Sequence, residues 1–336
     1  MTDSQTLLRV IFLGTPEFAL PSLRALVRTT TITSVVTRPD RPVGRGQVLT
    51  PPPIAVAARQ MGLGLLQPES LRAASTLDTL VALHPDLLVT VAYGRIIPPA
   101  VLALPPRGCI NLHPSLLPVY RGASPIQRAI ADGAATTGVT IMYQTEELDA
   151  GDIIVQREVA IDPEETAGEL ETRLAEAGAA LLLEAVQLIS RGAAPRRPQD
   201  HARATYTGRL TKDDGELRWA RPARDLANQV RAMNPWPCAY TTWREGLLKV
   251  WRAQAVDIPA PPAQEARVQG APGQILAVDD AGITVATGRG VLVLLDVQPE
   301  GGRRMPAGDF LRGRRFSPGD RLGESAAVAP NHKMVE

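Results

Sequence analysis

The chain has 336 residues, of which 44% are hydrophobic and 21% are charged, an ordinary globular composition with room for two domains. No apolar run is long enough to span a bilayer, and the N-terminus lacks the basic and apolar regions of a secretory signal, so a cytoplasmic protein is expected. Residues 1–190 carry 14 Arg and no Lys against 19 Asp+Glu, whereas residues 191–336 carry 22 Lys+Arg against 16 Asp+Glu. The second half is therefore either a module that approaches phosphates or a basic surface with no such role.

The first half of the chain alternates short apolar runs with helix-like stretches. This alternation predicts a doubly wound α/β domain with a mostly parallel sheet over residues 1–192. The predicted strands lie at 9–14, 32–37, 63–67, 86–92, 109–113 and 138–143, and the predicted helices lie at 16–28, 53–61 and 124–132. A long helix closes the domain, because Thr166 and Glu169 form a capping-box pattern and Gly192 suits a helix end.

The segment 38–53 interrupts the alternation with a long loop rich in arginine, glycine and proline. Loops of this length within a compact domain are usually functional or disordered. Gly44 and Gly46 would let the backbone approach a nucleic acid, and arginines such as Arg41 and Arg45 suit phosphates and base edges. The alternative is an ordinary surface loop stiffened by proline.

The second half differs in composition and in its pattern of predicted elements. Residues 193–208 combine proline and arginine without apolar periodicity and are predicted to be a linker. A helix-like stretch at 221–233 is followed by strand-like runs at 247–256, 273–278, 282–288 and 290–298. These runs predict a small antiparallel β-barrel of the OB type over residues 209–321, followed by a frayed tail over 322–336. The two cysteines, Cys109 and Cys238, are too few for a disulfide framework and are predicted to be buried thiols, and no metal site is expected.

The stretch "GCINLHPSLLPVYRG" at 108–122 places polar side chains at the end of an apolar strand. Asn111 and His113 lie on one face, and ligands bind beyond the carboxyl ends of strands in such sheets. Asp149 follows the strand 138–143, either at its end or in the loop beyond, so an amide, an imidazole and a carboxylate can converge.

Such a trio suits a reaction whose nucleophile comes from the substrate, such as acyl transfer to an amine. Ser115 lacks the G-x-S-x-G context of a catalytic serine. Asn111 can donate to a developing oxyanion and His113 can move a proton, while Asp149 can orient the imidazole and favour its charged form.

Longer stretches carry a family resemblance. "GCINLHPSLLPVYRGASPIQRAI", followed by "TGVTIMYQTEELDAGDII", resembles the folate-dependent formyltransferases. "IFLGTPEFA", "RPDRPVGRG", "VAYGRIIP", "RAMNPWPCAY" and "VATGRGVLVLLDVQP" are similar to the branch of that superfamily that formylates methionyl-tRNA, over about residues 8–322. The resemblance implies 10-formyltetrahydrofolate as formyl donor, with no metal. It implies the α-amino group of methionine on initiator tRNA as acceptor, with the acceptor arm of the tRNA contacted by the protein.

The resemblance also assigns site residues. By their match to the family motif, Asn111, His113 and Asp149 would be catalytic. The stretch 93–98 would flank the pterin, and the folate site would be lined by Ser115, Leu116, Leu117 and Pro118. The tRNA would be contacted by Arg41, Gly44, Arg45, Gly46, Arg209, Lys212 and Lys249, with Arg312, Arg314 and Arg315 as further basic positions. Bacterial members of the family commonly have glycine at the position of Pro114. Other branches of the superfamily have proline there, as this chain does.

Details of the sequence disfavour three other functions. A dinucleotide-binding oxidoreductase is disfavoured because the first turn, G-T-P-E-F, lacks the G-x-G-x-x-G pattern. A formyltransferase or formyl-folate hydrolase with a small-molecule substrate would explain residues 1–190 but neither the C-terminal domain nor the arginine loop. An RNA-binding module without catalysis would not need the amide, imidazole and carboxylate together.

A monomer without membrane contact is expected.

Overall fold

The computed structural model describes residues 7–44, 46–244, 246–256, 270–312 and 316–323. The chain divides into two compact units. Unit 1 comprises the chain up to Ile126, with Ala135–Ile161 and Glu169–Gly208, and unit 2 comprises Gln127–Ala134, Asp162–Gly168 and the chain from Arg209 onward. Two short segments of the predicted domain 1–192 therefore fall in unit 2, and the predicted linker 193–208 falls in unit 1.

The secondary structure follows the predicted order and adds elements to it. The strands are β1 (Arg9–Gly14), β2 (Thr31–Val36), β3 (Arg41–Val43), β4 (Val48–Thr50), β5 (Leu65–Leu66), β6 (Leu87–Val91), β7 (Cys109–His113), β8 (Arg121–Gly122), β9 (Thr136–Tyr143), β10 (Ile153–Ala160), β11 (Tyr206–Thr207), β12 (Ala239–Trp243), β13 (Gly246–Val256), β14 (Ile275–Asp279), β15 (Gly282–Ala286), β16 (Val291–Pro299) and β17 (Met305–Pro306). The α-helices are α1 (Leu20–Val27), α2 (Pro53–Gln60), α3 (Ala74–Ala82), α4 (Pro99–Leu102), α5 (Pro125–Ala131), α6 (Ala167–Ser190), α7 (Ala223–Ala232) and α8 (Ala307–Arg312). Short 3₁₀ turns lie at Glu17–Ala19, His201–Arg203 and Asp213–Gly215.

Unit 1 is built on a seven-stranded sheet in the order β10-β9-β7-β6-β1-β2-β5. The five strands from β7 to β5 are parallel, whereas β9 and β10 add antiparallel pairings at one edge. The predicted mostly parallel sheet is therefore confirmed, and β10 is an edge strand that the sequence patterns did not reveal.

Helices cover both faces of this sheet, as expected of a doubly wound domain. All five residues of β6 are buried, because a central strand in such a sheet meets helices on each side. On one face, Leu80 of α3 and Val101 of α4 belong to the buried cluster that includes Cys109 of β7. On the other face, a Cβ added to Gly178 of α6 would lie 2.6 Å from Leu112, so glycine permits close helix–strand packing there.

Unit 2 contains a six-stranded antiparallel sheet in the order β12-β13-β16-β15-β14, with β17 paired to β16. An aromatic group anchors its core, where Trp243 stacks on Phe316 at 4.0 Å between ring centroids and meets Phe310 edge-on at 6.3 Å. The predicted antiparallel architecture is confirmed. In the strand pairings of the described residues, β12, β14 and β17 each pair with one other strand, so closure into a barrel stays a prediction.

Other expectations concern single residues and segments. Cys109 and Cys238 are free, buried thiols, as predicted. Within the described residues there is no cluster of His, Cys, Asp and Glu that could hold a metal ion. None of the helices in the described ranges is long and apolar enough to cross a membrane. The predicted tail 322–336 lies outside the described residues after Gly323.

Candidate active site

Asn111 is held in the middle of β7 by its neighbours on β6 and β9. Its register partners are Thr90 and Met142. The hydroxyl of Thr90 donates to Asn111 Oδ1 at 2.8 Å. Among the described residues, none accepts a hydrogen bond from Asn111 Nδ2. The amide is thus oriented with its oxygen occupied and its N–H₂ available to a ligand.

His113 ends β7 and is buried, with 4% of its surface exposed. Its Nε2 lies 2.9 Å from the carbonyl oxygen of Tyr120, and its Nδ1 lies 3.6 Å from Asp149 Oδ2. A carbonyl oxygen only accepts, so Nε2 carries a hydrogen. The imidazole therefore has an oxygen acceptor facing each ring nitrogen, an arrangement in which an imidazolium can donate on both sides.

Asp149 lies in the loop 144–152 that joins β9 to β10. Its Oδ2 accepts a hydrogen bond of 2.8 Å from the backbone N–H of Gly122. Its backbone adopts φ +49°, in the left-handed region. The structure thus brings together the imidazole and the carboxylate predicted from the sequence, with the amide of Asn111 on the same strand face as His113.

Asp149 approaches His113 from the loop after β9 and not from the end of that strand. Because β9 runs antiparallel to β7, its carboxyl end at Tyr143 pairs with Ile110, and Thr140 pairs with His113. Asp149 therefore does not lie at a neighbouring strand end but in the loop beyond it, the second of the two placements expected. The loop returns close to β9 at Gly151, where an added Cβ would collide with the carbonyl oxygen of Tyr143.

The segment 193–208, predicted to be a linker, is a structural part of this site. Its β11 pairs in parallel with β8, the strand that follows Tyr120. Thr205 Oγ1 accepts from the backbone N–H of Tyr120 at 2.7 Å, and the carbonyl of Thr205 accepts from the N–H of Arg121 at 2.8 Å. Sequence reasoning missed this role, because these bonds join residues about 85 positions apart and leave no local pattern.

The predicted folate loop shows two kinds of residue. Ser115 is fully buried, and its hydroxyl donates to the carbonyl of Val119 at 2.6 Å, so its side chain shapes the loop from within. Leu117 is buried as well, and its backbone N–H donates to Thr140 Oγ1. Leu116 and Pro118 are the half-buried members that keep surface for a ligand.

The predicted pterin-flanking stretch 93–98 follows β6. Ala92 and Gly94 have φ of +48° and +78°, so the chain turns sharply there. Tyr93 is buried, and burial raises the pKa of its hydroxyl against the opposing effect of Arg95 and Arg38. Ile96 projects outward with 78% of its surface exposed.

The predicted arginine loop contains a small hairpin formed by β3 and β4. Arg41 is exposed on β3, and Gly44 has φ +72° with no atom within 4 Å of an added Cβ. The nearest atom to a Cβ on Gly46 is 3.7 Å away. The apolar side chains on the hairpin are exposed, namely Val43, Val48 and Leu49. Arg45 lies outside the described residues.

The predicted basic contacts in unit 2 are surface residues. Arg209, Lys212 and Lys249 are exposed, and among the described residues they form no ion pair. Arg312 forms an ion pair with Asp309 at 3.1 Å. Arg314 and Arg315 lie outside the described residues.

Comparison with protein-family models finds two matches. The formyl transferase model matches residues 8–186, and the model of the formyl transferase C-terminal domain matches residues 209–315. Together these matches span most of both units.

Curated relatives match along nearly the whole chain. Methionyl-tRNA formyltransferase of Desulforamulus reducens is 43% identical over 94% of this chain and 98% of its own length. The enzyme of the same name from Syntrophus aciditrophicus is 46% identical over 94% of this chain and 98% of its own length. That of Pelotomaculum thermopropionicum is 45% identical over 95% of this chain and 100% of its own length.

Solved structures share the fold at lower identity. WlaRD, a sugar 3N-formyl transferase, superposes with a TM-score of 0.63 and 16% identity over 85% of this chain and 97% of its own. HypX from Aquifex aeolicus in complex with tetrahydrofolic acid superposes with a TM-score of 0.59 and 18% identity over 93% of this chain. This chain spans 49% of the length of HypX. At these identities the similarity concerns the fold.

Proposed function

The chain belongs to the formyl transferase family, and on that premise we propose that it transfers a formyl group from 10-formyltetrahydrofolate to the α-amino group of methionine on initiator methionyl-tRNA. The observation that carries the proposal is the match to methionyl-tRNA formyltransferases over at least 94% of this chain, in both units. The enzyme is a one-carbon transferase that serves translation initiation.

The reaction requires one bond exchange at the formyl carbon. The folate supplies the formyl group, and methionyl-tRNA supplies the amine. A free α-amino group has a pKa of about 7.7–8.0, so a neutral fraction is available near neutral pH. Its nitrogen attacks the formyl carbon and loses a proton, and the bond from the formyl carbon to the folate nitrogen breaks as that nitrogen gains a proton. No protein nucleophile is needed.

The three polar side chains divide the remaining work. Asn111 Nδ2, free of described acceptors, donates to the oxyanion that develops on the formyl oxygen. His113 in its protonated form stabilises the same charge. Asp149, 3.6 Å from His113 Nδ1, holds the imidazole and assists proton removal from the attacking amine, directly or through water.

The folate loop fits an apolar, planar ligand. Leu116 and Pro118 offer half-buried apolar surface beside β7, while the polar groups of Ser115 are satisfied inside the loop. The exposed Ile96 adds apolar surface on the stretch after β6. Ligand sites are typically apolar with a few placed polar groups, which supports these residues as the folate-binding ones.

The tRNA contacts are proposed on exposed cations that form no ion pair among the described residues, and on Arg45, which lies outside them. Arg41 with Gly44 and Gly46, and Arg45 between them, would engage the end of the acceptor stem. Arg209, Lys212 and Lys249 would neutralise phosphates of the acceptor arm, so affinity should fall as salt rises. A monomeric state and a cytoplasmic location stay predictions.

The test is formyl transfer from 10-formyltetrahydrofolate to methionine-charged initiator tRNA. Methionine-charged elongator tRNA and a small amine, glycinamide ribonucleotide, serve as competing acceptors, and His113→Ala serves as the blank. Formylation of the initiator alone, lost in the variant, is the expected result. Activity on the small amine alone would overturn the assigned acceptor, and no activity on any acceptor would overturn the assigned reaction.

A further inference from the structure

We propose that Gln199 is a positioning residue for catalysis, which joins the loop carrying Asp149 to the segment Tyr120–Gly122 and so fixes the two acceptors of His113. The inference rests on the proposed function, because it assigns a role within that same site. Gln199 lies in the segment 193–208, whose sequence predicts only a linker. It is buried, with 5% of its surface exposed.

The orientation of the Gln199 amide is set by Arg121. Gln199 Oε1 accepts from Arg121 Nε at 3.2 Å and from Nη2 at 2.7 Å. A guanidinium has donors and no acceptor, so only the oxygen of the amide can face it. The amide nitrogen must then point the other way.

That nitrogen is bonded to the loop of Asp149. Gln199 Nε2 donates to the backbone carbonyl of Asp149 at 2.9 Å and to that of Gly151 at 2.8 Å. Both N–H donors and both acceptor positions of the amide are therefore used. Gln199 thus bridges a fixed guanidinium and the two carbonyls that flank the turn of the loop.

Arg121 is itself firmly placed. It is 1% exposed, and its Nη1 lies 3.2 Å from the hydroxyl of Tyr206 and 3.5 Å from Nδ1 of His201. None of its partners among the described residues is a carboxylate. A buried guanidinium is costly unless its donors are bonded, so these neutral acceptors lock it in one position.

The two ends of the bridge carry the two acceptors of the catalytic imidazole. Tyr120, which precedes Arg121, presents the carbonyl at 2.9 Å from His113 Nε2. Gly122, which follows Arg121, donates to Asp149 Oδ2, the atom 3.6 Å from His113 Nδ1. Without Gln199, the bond from Gly122 to Asp149 Oδ2 would be the only hydrogen bond of the described structure that ties the loop of Asp149 to the segment Tyr120–Gly122. A small shift of that loop would misalign the imidazole, and catalysis is steeply sensitive to such shifts.

The chain offers a matched control in unit 2. Gln229 is 7% exposed, and its Oε1 accepts from Arg221 Nη1 at 3.1 Å. Its Nε2 donates to the backbone carbonyls of Asp214 and Glu216 at 2.8 and 2.9 Å. The same chemistry therefore exists where none of the described bonds involves His113 or Asp149. Substitutions at Gln229 measure the purely structural cost of losing such a bridge.

The experiment compares Gln199→Met and Gln199→Glu with Gln229→Met and Gln229→Glu. Each variant is assayed for kcat at saturating folate and tRNA, for both KM values, and for melting temperature. Methionine removes both sides of the bridge, whereas glutamate keeps acceptors for the arginine but turns an acceptor toward the two carbonyls. If the Gln199→Glu variant does not fold, the Gln199→Met variant alone provides the test.

We expect both changes at Gln199 to lower kcat on the order of tenfold to a hundredfold, with KM values within about threefold of the parent. The Gln229 pair should lower the melting temperature comparably and leave kcat within about twofold of the parent. Equal kcat in the Gln199 and Gln229 variants would overturn the inference. So would full kcat in Gln199→Glu alone, since the residue would then act only through Arg121. Failure of the unmodified enzyme to formylate methionyl-tRNA would instead overturn the proposed function.

Discussion

Removing the side-chain amide of Asn111 is the most direct test of the proposed oxyanion donor. In Asn111→Ala, the N–H₂ that has no described acceptor is lost, so no existing hydrogen bond of that group has to break. A single donor to an oxyanion is worth about 2.7–4 kcal/mol of barrier, which corresponds to a loss in kcat of about a hundredfold to a thousandfold. The loss should appear in kcat and in kcat/KM alike, because the interaction exists only in the transition state.

The cost to folding should be much smaller. Truncation removes the acceptor that Thr90 uses at 2.8 Å, but the same hydroxyl lies 2.8 Å from Gln144 Oε1 and 3.1 Å from the carbonyl of Ile110. The hydroxyl therefore keeps a partner, and the loss in unfolding free energy should be about 1 kcal/mol. Catalysis and stability should thus be affected to very different degrees.

The assay is single-turnover formylation of methionine-charged initiator tRNA, combined with thermal unfolding. Asn228→Ala is the matched control, because Asn228 is also half-buried and its Oδ1 accepts from Arg231 at 2.8 Å. The control should lose stability to a similar extent and keep its rate. A folded Asn111→Ala enzyme with a rate within about threefold of the parent would refute the assignment of the oxyanion donor.

Two further substitutions and one labelling experiment test other parts of the protein. Thr90→Val removes the donor that orients the amide of Asn111 and should lower kcat about tenfold, with little change in either KM, in the same assay. Arg41→Ala should raise the KM for tRNA but not for folate, and should reduce the slope of log affinity against log salt by about 0.7–0.9 in a filter-binding titration. Burial raises the pKa of the Cys109 thiol, and it raises that of Cys238 to about 11, so both thiols are neutral at pH 8. A thiol reagent should therefore leave both unmodified in the native protein and label both after unfolding; labelling of the native protein would contradict their burial.

The residues of β7 are the part of the site that sequence predicts best. The strand runs from Cys109 to His113, as expected, because an apolar run of that length with alternating faces has few other solutions. The same alternation places Asn111 and His113 on one face without any knowledge of the rest of the fold. Local periodicity is therefore sufficient wherever a functional side chain sits on a regular strand.

The placement of Asp149 cannot be predicted from local sequence patterns. Its position after a predicted strand leaves two placements open, at the end of that strand or in the loop beyond it. The direction of that strand is decided by pairing between β7 and β9, which are far apart in sequence, and the pairing is antiparallel. The carboxylate arrives through a loop that needs glycine at position 151 and a left-handed backbone at Asp149. Neither requirement is visible as a periodic pattern.

The segment 193–208 marks the limit of sequence reasoning. It lacks apolar periodicity because it is fixed by hydrogen bonds rather than by a buried face, and absence of periodicity predicts a linker. Its partners, such as Tyr120 and Arg121, lie more than 75 residues away. Since a hydrogen-bonded bridge such as Gln199 is specified only by the groups at both of its ends, a single chain segment cannot reveal it. A bridging residue of this kind can be identified only after the fold has placed the groups at its two ends. A site assigned from motifs alone therefore omits the residues that hold its catalytic groups in position.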